Sequence, residues 1–159
     1  MNPVCNFDYD FDIPKLLKAY RDIEEHKYKR PNKHNAWRLD VEGIEHPSAK
    51  YILDEFKRLE KDLDTPIHAI KTVSYDNDGF MDWHVDKSGH IGCRIHVLLT
   101  GEGSIEFEEG KYSYHIAAVD VHNRPHKYDN LGKAEKIVLK GSLLHITFEE
   151  ACERIVTLL

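Results

Sequence analysis

In the stretch Met81-Asp82-Trp83-His84-Val85-Asp86, His84 and Asp86 set an imidazole and a carboxylate two residues apart. On a β-strand that spacing points both side chains to one face, where a nitrogen and an oxygen can converge on one ion. A single histidine and a single carboxylate leave such a site incomplete. The third ligand is expected from His126, in Arg124-Pro125-His126-Lys127-Tyr128-Asp129-Asn130. Two imidazoles and one carboxylate on one face of an octahedral ion leave its other positions open, a ligand set that suits ferrous iron.

His-x-Asp alone is a weak signal: with 11 histidines and 14 aspartates in 159 residues, about one such tripeptide arises by chance. Its company gives it weight. On the next expected strand Arg94 and His96 share one face with Leu98, and Ile95, Val97 and Leu99 take the other. A guanidinium turned into a barrel needs a partner for its charge, and a bound carboxylate would supply one. Lys136 follows His126 by ten residues, between Ala134 and Val138 on one parity, and its ammonium can hold the far end of a diacid. His122 competes with His126 for the third metal position; His126 is favoured because Pro125 and the turn Asn130-Leu131-Gly132 frame it. His90, His115 and His145 have no matched partners.

The succession of His84, then Arg94-Ile95-His96-Val97-Leu98-Leu99-Thr100, then His126-Lys127-Tyr128-Asp129-Asn130-Leu131-Gly132, then Lys136-Ile137-Val138-Leu139 resembles the aspartyl/asparaginyl/proline hydroxylase family of Fe(II)- and 2-oxoglutarate-dependent oxygenases. The resemblance spans roughly residues 74–143. It implies a double-stranded β-helix, a cupin-like jelly roll, mainly β with flanking helices. It also implies Fe(II), 2-oxoglutarate and O2 as cofactor and cosubstrates, with release of succinate and CO2. His84, Asp86 and His126 would bind the metal, Arg94 and His96 would lie by the carboxylate nearest it, and Lys136 would bind the distal carboxylate, where Ser74 could add a hydroxyl. Two positions depart from the pattern. Asp86 stands where the family's aspartyl branch has glycine, and Lys136 stands where arginine is commoner. The implied substrate is an aspartyl, asparaginyl or prolyl side chain, in a protein or a free amino acid.

Asp12 and Pro14 open a first helix whose Ile13, Leu16, Leu17, Tyr20 and Ile23 recur at helical spacing, running to about Lys27. Trp37 and Leu39 alternate around Arg38 as a short strand. From Ser48, Ile52, Phe56, Leu59 and Leu63 describe a second helix that Pro66 ends. The period then becomes two. Strands are expected at Ile67 to Tyr75, Phe80 to Asp86, Cys93 to Thr100, Ser104 to Glu108, Lys111 to Ile116, Ala118 to Val121, around His126, Lys133 to Leu139 and Leu143 to Phe148. Glycine turns separate them, with a loop through Gly89 and Gly92. A last helix, Glu149 to Leu158, is expected to bury Ile155, Val156 and Leu159. Trp37-Arg38 and Trp83 could border a substrate mouth.

The 159 residues read as one domain: helices over about 1–65, a barrel core over about 66–148 and a helix over about 149–158. With 41% apolar and 31% charged residues the composition is that of a globular protein. A net charge of -6 with scattered lysine and arginine argues against a nucleic-acid or membrane-surface binder working by bulk electrostatics. Cys5, Cys93 and Cys152 form no C-x-x-C pair, so neither a disulfide framework nor a cysteine zinc site is suggested. The first residues lack a secretion signal, and the expected location is a reducing cytoplasm, the host's if the chain is viral. Two rival readings stay open at this point: a cupin-type metalloenzyme without 2-oxoglutarate, and a β-barrel binding module without catalysis.

Overall fold

The computed structural model describes residues 2–30, 34–86, 92–122 and 124–158. The loop expected through Gly89, the histidine His90 and the terminal Leu159 lie outside them. Among the described residues three α-helices form where the apolar spacing requires: α1 (Ile13–Ile23), α2 (Pro47–Leu63) and α3 (Phe148–Leu158). Asp12 Oδ1 accepts from the Lys15 amide to cap α1, and a 3-10 turn, Glu24–His26, continues it. The His46 ring caps α2 by accepting from the Ser48 amide, and Asp64 ends it in the left-handed region at φ 51°. No helix among the described residues is long and apolar enough to cross a membrane.

The strands are β1 (Val4–Asn6), β2 (Tyr28–Lys29), β3 (Trp37–Asp40), β4 (His68–Tyr75), β5 (Phe80–His84), β6 (Cys93–Thr100), β7 (Ser104–Phe107), β8 (Gly110–Ser113), β9 (Ile116–Val119), β10 (His126–Asp129) and β11 (Lys136–Leu143). They pair antiparallel in two sheets, β1-β9-β6-β11-β4-β3-β2 and β5-β10-β7-β8. Alternation along the large sheet splits the core in two. Ile95, Val97, Leu99, Ile137 and Leu139 pack outward against Leu16, Tyr20, Ile52, Phe56, Leu59 and Ile155 of the helices. Val73, Tyr75, Leu98 and Val138 point between the sheets, toward Met81, Ile105, Phe107, Tyr114 and Tyr128. Burying each large apolar side chain contributes roughly 1.5–3 kcal/mol, so the helices fix the outer face and leave the inner one for chemistry.

Several expected boundaries move, each for a physical reason. β5 ends at His84, so Asp86 lies just beyond the strand, held by its amide donating to the Val121 carbonyl at 3.2 Å. The strands expected at Lys111 to Ile116 and Ala118 to Val121 are β8 and β9. The chain leaves the small sheet for the large one at Tyr114 and His115, so the ladder changes partner there. The strand expected to stop at Leu139 continues through Gly141 to Leu143 as β11, whereas the strand expected from Leu143 to Phe148 does not form: residues 144–147 are not in a strand and Phe148 opens α3. Gly141 is there for packing rather than turning, since a Cβ would come within 2.5 Å of Ile67 Cγ2 and 3.0 Å of Phe56 Cε1. On α3, Ile155 is buried but Val156 is 67% exposed, because it falls on the opposite side of the helix. The short β1 and β2 carry too little alternation to be anticipated.

Gly103 is the tightest approach next to the inner core: a Cβ would sit 2.0 Å from the Tyr114 carbonyl oxygen. Gly103→Ala must push the β7–β8 hairpin apart, and a loss of about 1–3 kcal/mol is expected, read as a lowered midpoint in thermal or urea unfolding.

Candidate metal centre

The register of β5 against β10 places His84 directly opposite His126, and the ring centroids stand 4.3 Å apart. Each Nδ1 meets a backbone carbonyl oxygen, Asp82 O for His84 at 2.6 Å and Arg124 O for His126 at 2.8 Å. A carbonyl only accepts, so each Nδ1 carries the proton and donates, which turns each Nε2 inward as a ligand atom. Both Nε2 atoms lie 3.4 Å from Asp86 Oδ1, and His126 Nε2 is buried without a hydrogen-bond partner. Three acceptors facing one another need a cation among them. A proton on one imidazole supplies it poorly at 3.4 Å, whereas cis ligands on an ion with bonds of about 2.1 Å stand about 3 Å apart. The three ligand atoms all lie within 4.8 Å of one another, so the donor set fits a divalent ion.

Asp86 is the charged member. Burial opposes its charge, but the His126 and His84 imidazoles and the Arg94 guanidinium outweigh burial and hold its carboxyl well below the usual carboxylate range. Arg94 Nε lies 2.8 Å from Asp86 Oδ2, as an ion pair rather than an aligned hydrogen bond. Arg94 thus steers one carboxylate oxygen away and leaves Oδ1 for the metal position. His122, though buried, is not one of the three clustered ligands.

Behind the triad the inner face carries polar atoms with nothing to bond. Among the described residues, the Tyr75 and Tyr114 hydroxyls and both nitrogens of His96 are buried without a partner. Lys136 joins them, 1% exposed, with Nζ donating to the Ser104 carbonyl at 3.0 Å and standing 5.1–5.6 Å from the ring centroids of Tyr128, Tyr75 and Tyr114. Burial pulls the Lys136 ammonium down to about 7. Burial, with Lys140 and Arg94 adding to it, holds His96 well below the ordinary imidazole range. Orphaned buried donors of this density call for a polar ligand, and a carboxylate beside the Lys136 ammonium and the tyrosine hydroxyls would satisfy them. Asn130 sets where β11 begins: its side-chain amide donates to Asp76 O at 2.9 Å and Ala134 O at 3.0 Å, and Gly132 takes φ +72°.

Of the residues singled out from the sequence, the structure brings His84, Asp86, His126 and Arg94 together and sets His96 and Lys136 on the same inner face. It does not bring Ser74. That side chain has the opposite parity on β4, lying 3.5 Å from the Tyr20 hydroxyl against α1. Trp83 stays at the surface, 36% exposed, with the Lys127 ammonium over its ring. Trp37 lies under Lys27 and Lys29, while its neighbour Arg38 does reach the site.

A cavity of about 420 Å³ opens beside the triad, walled by Arg30, Arg38, Lys71, Arg94, Lys140, Met81 and others. Lys71 and Lys140 were not anticipated. Lys71 shares its parity with Val73 and Tyr75, and a lysine on an otherwise apolar and aromatic face was the available signal. Lys140 falls in the expected gap after Leu139, where β11 in fact continues. Burial, with Arg94 and Arg38 nearby, lowers Lys71 to about 7, and burial, with Lys71 nearby, holds Lys140 well below the ordinary ammonium range.

No family model matches the sequence, and no curated protein matches it. Solved structures do. A prolyl hydroxylase from Trichoplax adhaerens, in complex with a hypoxia inducible factor oxygen degradation domain peptide fragment, aligns over 96% of this chain and 87% of its own, with a TM-score of 0.66 at 10% identity. The viral collagen prolyl hydroxylase of Paramecium Bursaria Chlorella virus-1, as its 2OG complex, aligns over 91% and 97% with a TM-score of 0.64 at 12% identity. A Pseudomonas putida prolyl-4-hydroxylase aligns over 87% and 89% with a TM-score of 0.62 at 12% identity. The fold is a double-stranded β-helix. Within this β-helix the triad bridges the small sheet and the loop after β5, and Lys136 enters from the large sheet opposite.

Proposed function

We propose that the chain is an Fe(II)- and 2-oxoglutarate-dependent dioxygenase that hydroxylates an aspartyl, asparaginyl or prolyl side chain, protein-bound or in a free amino acid. The observation that carries this reading is the meeting of His84 Nε2, Asp86 Oδ1 and His126 Nε2 on the same inner face as the buried Lys136 ammonium and the Tyr75 and Tyr114 hydroxyls, which have no partner among the described residues. Bound ferrous iron would supply the redox chemistry, oxidising 2-oxoglutarate to succinate and CO2 with O2 while one oxygen atom enters a C–H bond of the substrate. The residues of the chain position and exclude. His84 and His126 are oriented by the carbonyls of Asp82 and Arg124, Asp86 by Arg94. Lys136 would receive the distal carboxylate with the Tyr75 and Tyr114 hydroxyls donating beside it, and the buried walls keep water from competing for those donors. The structural neighbours include a prolyl hydroxylase bound to a peptide, which supports a side-chain substrate.

The test is production of succinate from 2-oxoglutarate by the aerobic Fe(II) protein, with no substrate added. Slow turnover is expected from the native chain and none from His126→Ala; succinate formed equally by both would sink the reading. A cupin-type metalloenzyme would hold the metal but ignore 2-oxoglutarate.

The lowered Lys136 pKa makes a second, calorimetric prediction. In the folded protein this ammonium loses its proton near 7, while the unfolded chain keeps it to about 10.5. Between those values the unfolded state holds more protons, so this group makes stability rise with pH across that window. A bound dianion favours the ammonium and reverses the effect. At pH 8 the binding of 2-oxoglutarate should therefore take up about one proton, seen as a binding enthalpy that changes with the ionisation enthalpy of the buffer.

A further inference from the structure

β4 and β11 are neighbours, and Lys71 stands directly opposite Lys140 on the inner face. Both are almost wholly buried, at 7% and 4% exposure. Like charges facing each other across a strand pair repel, and among the described residues neither is ion-paired. The two acids near them are engaged elsewhere. Asp86 belongs to Arg94 and the imidazoles, and Asp40, opposite Lys71 on β3, is held by Arg38 at 2.8 Å and by the Tyr28 hydroxyl at 2.8 Å. Lys140 is partly compensated by the Tyr128 ring, 4.5 Å below its Nζ; no such ring lies against Lys71 among the described residues.

The cavity beside the triad is lined by Arg30, Arg38, Lys71, Arg94 and Lys140; Asp86 answers Arg94 and Asp40 answers Arg38, which leaves the two facing lysines without a carboxylate among the described residues. Loading the site does not change that balance: a divalent ion adds two positive charges and 2-oxoglutarate two negative ones. The distal end of the diacid is already provided for by Lys136, which is not among the cavity's wall residues. We infer that Lys71 and Lys140 form a second anion subsite beside the metal position, and that it holds a carboxylate of the substrate. The inference rests on the oxygenase reading for the word substrate, and on the cavity alone for the anion. A carboxylate could come from an acidic side chain or from the α-carboxyl of a free amino acid, and the same two ammoniums would take either.

The experiment uses the full chain loaded with Mn(II) and saturating 2-oxoglutarate in the absence of oxygen, titrated calorimetrically with L-aspartate, L-proline, N-acetyl-aspartyl amide and N-acetyl-prolyl amide. Binding is expected from carboxylate-bearing probes and not from N-acetyl-prolyl amide. The free amino acids binding alone would assign the α-carboxyl, and N-acetyl-aspartyl amide binding would assign the side chain. Lys71→Met and Lys140→Met should each weaken that binding about tenfold or more, the effect of losing a charge-assisted hydrogen bond away from water. They should leave 2-oxoglutarate affinity nearly unchanged and raise the melting temperature of the ligand-free protein, because each removes a buried amine that has no acid to pair with. The subsite is overturned if the neutral probe binds as tightly as the acids, if both methionine variants bind the acids normally, if they lose 2-oxoglutarate as Lys136→Met does, or if no acid binds at millimolar concentration. A chain that binds the acids through Lys71 and Lys140 yet shows no affinity for 2-oxoglutarate would end the oxygenase reading and leave the subsite standing.

Discussion

His126→Ala is expected to cut divalent-metal affinity by at least about a hundredfold, because even removing a residue that only orients a metal ligand costs 10–100-fold. The argument is one of donor count and enclosure. His126 is fully buried, its Nδ1 is committed to the Arg124 carbonyl, and its Nε2 has no partner among the described residues other than the metal position it shares with His84 and Asp86. Alanine leaves two donors, of which His84 is partly open to solvent. Metal titration by calorimetry, or the rise in melting temperature on adding Mn(II), reads the loss, since a ligand that binds only the folded state stabilises it by mass action. Circular dichroism should remain native-like, because β10 is held on both sides by β5 and β7. Equal metal affinity in native and variant proteins would remove His126 from the centre and with it the proposed chemistry.

Lys136→Met should act on the cosubstrate and not on the metal. The Lys136 ammonium is buried among the rings of Tyr75, Tyr114 and Tyr128, where it would meet the far carboxylate, and breaking a buried ion pair by removing one partner costs about 3–5 kcal/mol. A fall in 2-oxoglutarate affinity of about a hundredfold or more is expected on that scale. The ligand-free protein should move the other way and become more stable, for methionine fills the same space without a desolvated charge whose pKa has already dropped to about 7. Opposite signs in the two measurements separate a binding role from a structural one. If Lys136→Met bound 2-oxoglutarate normally, the cupin-type alternative would regain its place.

Much of this was legible in the residues because the barrel writes its faces as a period of two. The parity of Arg94, His96 and Leu98 against Ile95, Val97 and Leu99 gave the inner and outer sides of β6 directly, and the helices announced themselves by Leu16, Tyr20 and Ile23 and by Ile52, Phe56, Leu59 and Leu63. The misreadings have one common source, which is that a residue's local meaning depends on its neighbours in space. Gly141 looks like a turn until Phe56 and Ile67 are seen against it. Reading a break there hid the continuity of β11 and so hid Lys140. Ser74 is expected near the diacid, but its parity with Thr72 turns it toward Tyr20. Asp86 was expected at the end of a strand and lies past it. It reaches the imidazoles because the chain after β5 is pinned to Val121, a contact that nothing within Met81 to Asp86 foretells.

Because β11 runs unbroken through Gly141, Lys136 and Lys140 are mounted on one stiff rod, with Cα atoms about 13 Å apart for four residues of extended chain. Both ammoniums nevertheless reach the same Tyr128 ring, at 5.1 and 4.5 Å from its centroid, so the two acids they would grip lie on either side of that ring. A change in the length of acceptable substrate would have to come from the opposing jaw, β3 and β4 with Arg38 and Lys71, or from shifting β11 by two whole residues.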